Sequence, residues 1–157
     1  MSDGTWPPIA ELIPHAGSMC LLDRVVEHSP AETTCAVDPA ASDLLARADG
    51  SVPAWIGVEY MAQCVAVHGG LAARSRGESP KPGILLGSRR LRFDARDFVP
   101  GDELLVRARH EAGETGLVVF DCSLARAAGG GPVVEGRINV YRFEDWQAIR
   151  KGGGADG

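Results

Sequence analysis

One carboxylate stands alone in the most apolar stretch of the chain. Within Pro53–Arg76, PAWIGVEYMAQCVAVHGGLAARSR, the only acidic side chain is Glu59. Gln63 follows it one helical turn later on the same face. A carboxylate among apolar neighbours is costly unless it is partnered, neutralised or used. Used, it is one half of acid–base chemistry, and it requires a second group of complementary role. The chain holds four histidines, His15, His28, His68 and His110. His15 follows Pro14 ahead of the first strand. His68 lies nine residues beyond Glu59, about two and a half helical turns, so it shares only part of that face and reads as a core or interface histidine. His28 and His110 fall at strand or turn edges and read as solvated.

The element that must position Glu59 is a helix. Trp55, Ile56, Val58, Met61, Cys64, Val65, Val67 and Leu71 leave no polar stripe wide enough for a surface helix, so the expectation is burial on all sides. Pro53 suits a first helical turn, Arg74 and Arg76 suit the negative end of the dipole, and Gly69-Gly70 loosens the helix near its end. Around it the pattern is β. Leu21, Leu22, Val25 and Val26 form a strand candidate and Glu32–Asp38 its partner. Ile84–Phe93, Leu104–Glu111, Leu117–Ala125 and Val133–Phe143 follow. Turns at Pro100-Gly101-Asp102, Ala112-Gly113-Glu114 and Gly129-Gly130-Gly131-Pro132 separate them. A helical turn is expected over Glu144–Lys151. A short helix, two strands, one long helix and four strands read as α+β, an antiparallel sheet wrapped round one helix. One domain over 1–151 and a disordered tail over 152–157 are expected.

Composition narrows the class. At 157 residues, 45% hydrophobic and 24% charged, the chain has globular values. A net charge of -5 and a pI near 5.3 argue against a nucleic-acid surface. Cys20, Cys35, Cys64 and Cys122 show no Cys-x-x-Cys pair and no metal-ligand spacing. They read as buried thiols of a reducing cytoplasm. No signal peptide opens the chain, no stretch approaches a membrane span, and no cofactor motif is present.

Three stretches carry a family resemblance. Leu12–Glu27, LIPHAGSMCLLDRVVE, Pro53–Gln63, PAWIGVEYMAQ, and Arg92–Leu104, RFDARDFVPGDEL, resemble in order three words of the hot-dog-fold β-hydroxyacyl-[acyl-carrier-protein] dehydratases. The middle word is similar above all to a subgroup from aryl-polyene-type pigment clusters. The resemblance implies removal of water from a (3R)-3-hydroxyacyl thioester on the phosphopantetheine arm of acyl carrier protein, leaving a trans-2-enoyl thioester. It assigns Glu59 as the acid and Gln63 as its hydrogen-bonding neighbour. The family's loop histidine, fourteen positions before the acid, is replaced by Leu45, and its Pro-Gly by Pro53-Ala54. The expected base is therefore His15 or a histidine of a partner.

Gln63, Trp55, Ala54, Arg90 and Arg92 form the expected substrate-binding set. Trp55 and Tyr60 line an acyl tunnel or pack in the core. Strand alternation puts Arg90 and Arg92 on one face and Arg89 on the other, as solvated strand edges or as contacts for carrier-protein acids or the pantetheine phosphate. The resemblance also implies pairing through sheet edges, as a homodimer or with a second hot-dog dehydratase, and no metal or cofactor. Two alternatives stay open: a hot-dog acyl thioesterase, in which the helix carboxylate serves without histidine, and a non-catalytic subunit of a heterodimeric dehydratase.

Overall fold

Period-2 burial builds the main sheet of the protein, whose computed structural model describes residues 5–14, 17–42, 44–145 and 147–148. Strands β1 (Arg24–His28), β2 (Glu32–Val37), β4 (Gly83–Phe93), β6 (Leu104–Ala112), β7 (Gly116–Arg126) and β8 (Val134–Arg142) lie in the order β1-β2-β6-β7-β8-β4. Every neighbouring pair is antiparallel. Along β7, Val118, Phe120, Cys122 and Leu124 are buried while the residues between them are not. The buried set faces the one long helix, α1 (Gly57–Ser75), which packs on β2, β6, β7 and β8. Each fully buried aliphatic or aromatic side chain contributes about 1.5–3 kcal/mol, so this helix–sheet layer dominates the core.

A second, two-stranded ribbon sets where α1 begins. Strand β3 (Val52–Pro53) pairs with β5 (Asp97–Phe98), with Val52 opposite Phe98 and Pro53 opposite Asp97. The Ala54 N–H donates to the Arg96 carbonyl at 3.0 Å, and Ala54–Ile56 form a single 3-10 turn. Pro53, expected in the first helical turn, is thus extended, and α1 starts four residues later. The reason is the ribbon: it uses the proline as a strand residue on a side where no N–H is required.

Strand β1 also starts later than the apolar run suggests. Leu21 and Leu22 are buried but precede the strand, because the Leu21 N–H is held by the Gln63 side chain at 3.0 Å rather than by a neighbouring strand.

Two other expectations about α1 are corrected. The helix is not enclosed on every side: Glu59, Ala62, Ala66 and Gly69 form a half-buried stripe. Gly70 does not loosen it either. A Cβ there would meet the Leu12 carbonyl oxygen at 2.2 Å, so the absent side chain lets the Leu12 backbone lie directly on the helix.

Strand β4 is one of the two edges of the main sheet. None of its residues is buried, and Ile84, Leu85, Leu86, Leu91 and Phe93 are all exposed large apolar side chains. Its register with β8 shifts twice, near Gly87 and Arg90, and Arg90 takes a left-handed φ of 55°. The second irregularity ends the alternation expected for Arg89, Arg90 and Arg92. No helix among the described residues is long and apolar enough to cross a membrane. His15 and the expected tail over 152–157 lie outside the described residues, as does most of the helical turn expected over 144–151.

Candidate active site

Glu59 sits in the first turn of α1, where the positive end of the helix dipole favours a carboxylate. Gln63 holds it. That amide is fully buried and every polar atom it has is used: Oε1 accepts from the Leu21 N–H at 3.0 Å, while Nε2 donates to the Met19 carbonyl at 2.7 Å and to Glu59 Oε1 at 2.9 Å. The Leu21 N–H can only donate, so it fixes which end of the amide is oxygen and turns the NH2 toward Glu59. Glu59 Oε1 must therefore accept. Both partners foreseen for Gln63, Glu59 and the backbone, are present at once.

The carboxyl opens on a cleft of about 260 Å³ along the half-buried stripe of α1. Ala62, Val65, Ala66 and Gly69 form its floor; Leu12, Pro14, Leu85, Phe120 and Val140 make apolar walls, and Lys81 and Arg142 stand among its lining residues. Such a channel suits an extended apolar chain with one reactive end at Glu59. Leu45, at the position of the family's loop histidine, is half-buried and packs against the hydrophobic core.

The three described histidines gather elsewhere. His28 Nδ1 and His68 Nδ1 lie 2.7 and 2.8 Å from the same Thr33 hydroxyl. The His68 ring lies 5.3 Å from His28, 6.5 Å from His110 in a parallel stack, and 5.5 Å edge-on to Phe120. One hydroxyl proton serves one Nδ1, so the other ring must donate to the oxygen. His110 Nε2 faces the Gly113 carbonyl and therefore also donates. Burial, joined by the charges of His28, His110 and Arg142, pushes the His68 pKa down to about 4, and burial lowers that of His28. His28 and His110 are thus part of a packed cluster rather than solvated edges. None of the three imidazoles lines the cleft, although Phe120, one of its walls, packs against both His68 and His110.

The remaining expected site residues are spread apart. Trp55 is 67% exposed and does not line the cleft, and Tyr60 is in the core against Phe98. Desolvation, with Asp23 and Asp38 nearby, raises the Tyr60 pKa to about 12. Ala54 is buried with its N–H already committed to Arg96. Arg90 borders a different cleft, of about 450 Å³, with Arg107, Arg109, Asp121, Glu135 and Arg137. That cleft lies on the face of the sheet away from α1. Arg92 pairs with Asp94 and Glu135, each at 3.1 Å. The structure thus brings Glu59 and Gln63 together, but only Glu59 lines the cleft: Gln63 is fully buried behind it, and Trp55, Ala54, Arg90 and Arg92 lie outside it.

Lys81 and Arg142 were not foreseen. One is in a proline-flanked loop and the other ends a strand, and neither pattern marks a site in the sequence.

A long helix cradled by an antiparallel sheet, with a carboxylate in its first turn facing an apolar cleft, defines this chain as a hot-dog protein. The chain belongs to the ApeP-like family, whose family model, described as ApeP dehydratase, matches residues 7–151. It is similar to a chain of the dehydratase heterocomplex ApeI:P from Xenorhabdus doucetiae, with 26% identity over 94% of this chain and 98% of that one, and a TM-score of 0.83. A hypothetical thioesterase crystallised with coenzyme A from Streptococcus pneumoniae has 12% identity over 76% of this chain and 84% of its own, at a TM-score of 0.57. Thioesterase superfamily member 2 of zebra fish has 13% identity over 85% and 89%, at 0.59. These last two share the fold alone. No curated protein matches the chain in sequence. The resemblance drawn from the three sequence words is borne out for fold and family.

Proposed function

We propose that the chain is a subunit of a dehydratase acting on (3R)-3-hydroxyacyl thioesters of acyl carrier protein, in polyene or fatty-acid-like biosynthesis in the cytoplasm. The observation that carries this is Glu59, held by Gln63 and lining the apolar cleft. With the thioester at the start of α1, a base removes the α-proton and the electron pair forms the α,β double bond. The Glu59 carboxyl gives a proton to the departing β-hydroxyl, which leaves as water. The base is His15, which follows the cleft-lining Pro14 in sequence, or a histidine from a partner. The exposed apolar edge of β4 supports a second hot-dog subunit joining there.

A second reading has one observation in its favour. Leu45 occupies the position of the family's loop histidine, and no described histidine lines the cleft. On that reading the chain completes a heterodimer whose other subunit does the chemistry; a chain similar to this one is part of a dehydratase heterocomplex.

The test is turnover of a 3-hydroxyacyl-carrier-protein thioester by the chain alone and mixed with a separately produced hot-dog dehydratase, with Glu59→Gln and His15→Ala beside wild type. Enoyl absorbance lost in both folded variants supports Glu59 as acid and His15 as base. Activity only in the mixture, undiminished by Glu59→Gln, supports the non-catalytic subunit. Free thiol in place of enoyl product overturns both readings in favour of hydrolysis.

A further inference from the structure

The arginines on the outer face of the sheet are mostly matched by acids. Arg107 pairs with Glu32, Arg109 with Glu111, Arg137 with Asp121 and Arg92 with Glu135. Arg142 is the exception within the Glu59 cleft. Its side chain is half-buried at the end of β8 and makes no ion pair or hydrogen bond among the described residues. A partly desolvated guanidinium without an anion is an uncompensated cost.

The backbone makes room for it. A Cβ on Gly69 would sit 3.8 Å from Arg142 Nη2, so the guanidinium lies over the one position of the stripe that has no side chain. Its charge also reaches His68, the residue before Gly69, and helps to keep that ring neutral. Lys81, exposed in the loop before β4, lines the same cleft.

Glu59 is not the missing anion. Ten residues separate it from Gly69, about 15 Å along the helix axis at 1.5 Å per residue. The cleft therefore has an acid at one end, apolar walls between, and a cation at the other.

We propose that Arg142, assisted by Lys81, anchors an oxyanion at the far end of the ligand whose reactive carbon lies at Glu59. The inference rests on the cleft being the thioester site proposed above. Two groups share the required chemistry and length. A phosphopantetheine arm has about thirteen bonds between sulfur and phosphorus, the backbone of about four residues, which extends to about 15 Å. An acyl chain of about twelve carbons ending in a carboxylate reaches a similar distance at the same length per bond. A planar guanidinium with parallel donors fits either phosphate or carboxylate.

The experiment measures binding, not turnover, so it does not depend on which residue is the base. Unreactive acyl thioether analogues are titrated calorimetrically into the full chain together with its hot-dog partner. One carries phosphopantetheine, one carries pantetheine without phosphate, and one carries pantetheine with a terminal carboxylate on the acyl chain. Arg142→Gln is expected to weaken one anionic ligand about ten- to hundredfold, the range for hydrogen bonds to a charged group, and to leave the neutral ligand unchanged. Arg142→Lys is expected to recover part of the loss, and Lys81→Ala to cost a few-fold. A loss confined to the phosphate ligand identifies the pantetheine arm; one confined to the carboxylate ligand identifies the acyl tail. Equal weakening of all three ligands, or of none, overturns the anchor while the proposed function stands. So does a variant that alters only the association of the subunits. Failure of every ligand to bind the wild-type complex overturns the thioester site and the anchor with it.

Discussion

Replacing Gln63 by leucine removes three hydrogen bonds at nearly constant volume. The three partners lose unequally. Leu21 is buried, so its N–H, now held at 3.0 Å by Gln63 Oε1, is left without an acceptor. An unsatisfied buried donor costs about 1–3 kcal/mol. Met19 is 46% exposed and its carbonyl can turn to water at little cost. Half-buried Glu59 loses a donor at 2.9 Å, which water replaces in part through the cleft. The sum is a loss of about 2–3 kcal/mol, or about 5–10 °C in Tm for a chain of this size. Urea unfolding should show a lower midpoint at an unchanged slope. Gln63→Glu supplies the sharper comparison. It keeps an acceptor for Leu21 but sets a carboxylate against Glu59, so it should be less stable than wild type at pH 7 and recover as the pH falls and one shared proton binds. A Gln63→Leu variant within about 0.5 kcal/mol of wild type would refute the reasoning, because it would mean that the amide does not tie the segment around Met19 and Leu21 to the helix.

Packing and charge carry three further predictions. Gly70→Ala should fail to fold or lose more than about 3 kcal/mol, since its Cβ would lie 2.2 Å from the Leu12 carbonyl oxygen, a backbone overlap at the severe end of overpacking effects. Gly69→Ala, whose nearest contact is Arg142 Nη2 at 3.8 Å, should fold normally by circular dichroism and thermal melting. The depressed His68 pKa of about 4 makes stability fall in acid. Because the unfolded ring has the ordinary value near 6.5, the unfolded chain binds the extra proton between about pH 6.5 and pH 4. The contribution of a neutral His68 is thus complete above about pH 6.5, declines as the pH drops through that window, and is lost by about pH 4, for a total of about 3 kcal/mol. His68→Phe should flatten the pH dependence of urea unfolding over that window, and an unchanged slope would contradict the burial argument.

Much of the architecture is local information. The alternation of Val118, Phe120, Cys122 and Leu124 forces one face of a strand inward whatever else the chain does, and the four strands of the second half begin and end within one or two residues of the pattern. The acid in the apolar stretch and the amide one turn on are legible for the same reason: helical geometry alone puts Glu59 and Gln63 on one face. Resemblance in three ordered words identified the family, because those words encode a turn, a helix start and a close helix contact that recur together.

What the sequence could not supply are contacts between residues distant in the chain. Leu21 looks like a strand residue until Gln63, 42 positions later, takes its N–H. Pro53 looks like a helix start until β5, more than 40 positions on, pairs with it. His28, His68 and His110 belong to three elements and meet only when β1, α1 and β6 pack, which turns two expected surface histidines into half-buried members of a packed cluster. Arg142 is one more arginine at a strand end until the sheet sets it over Gly69, at the far end of the Glu59 cleft. Periodicity reports which way a side chain faces within its own element; only the packed layers decide what it faces.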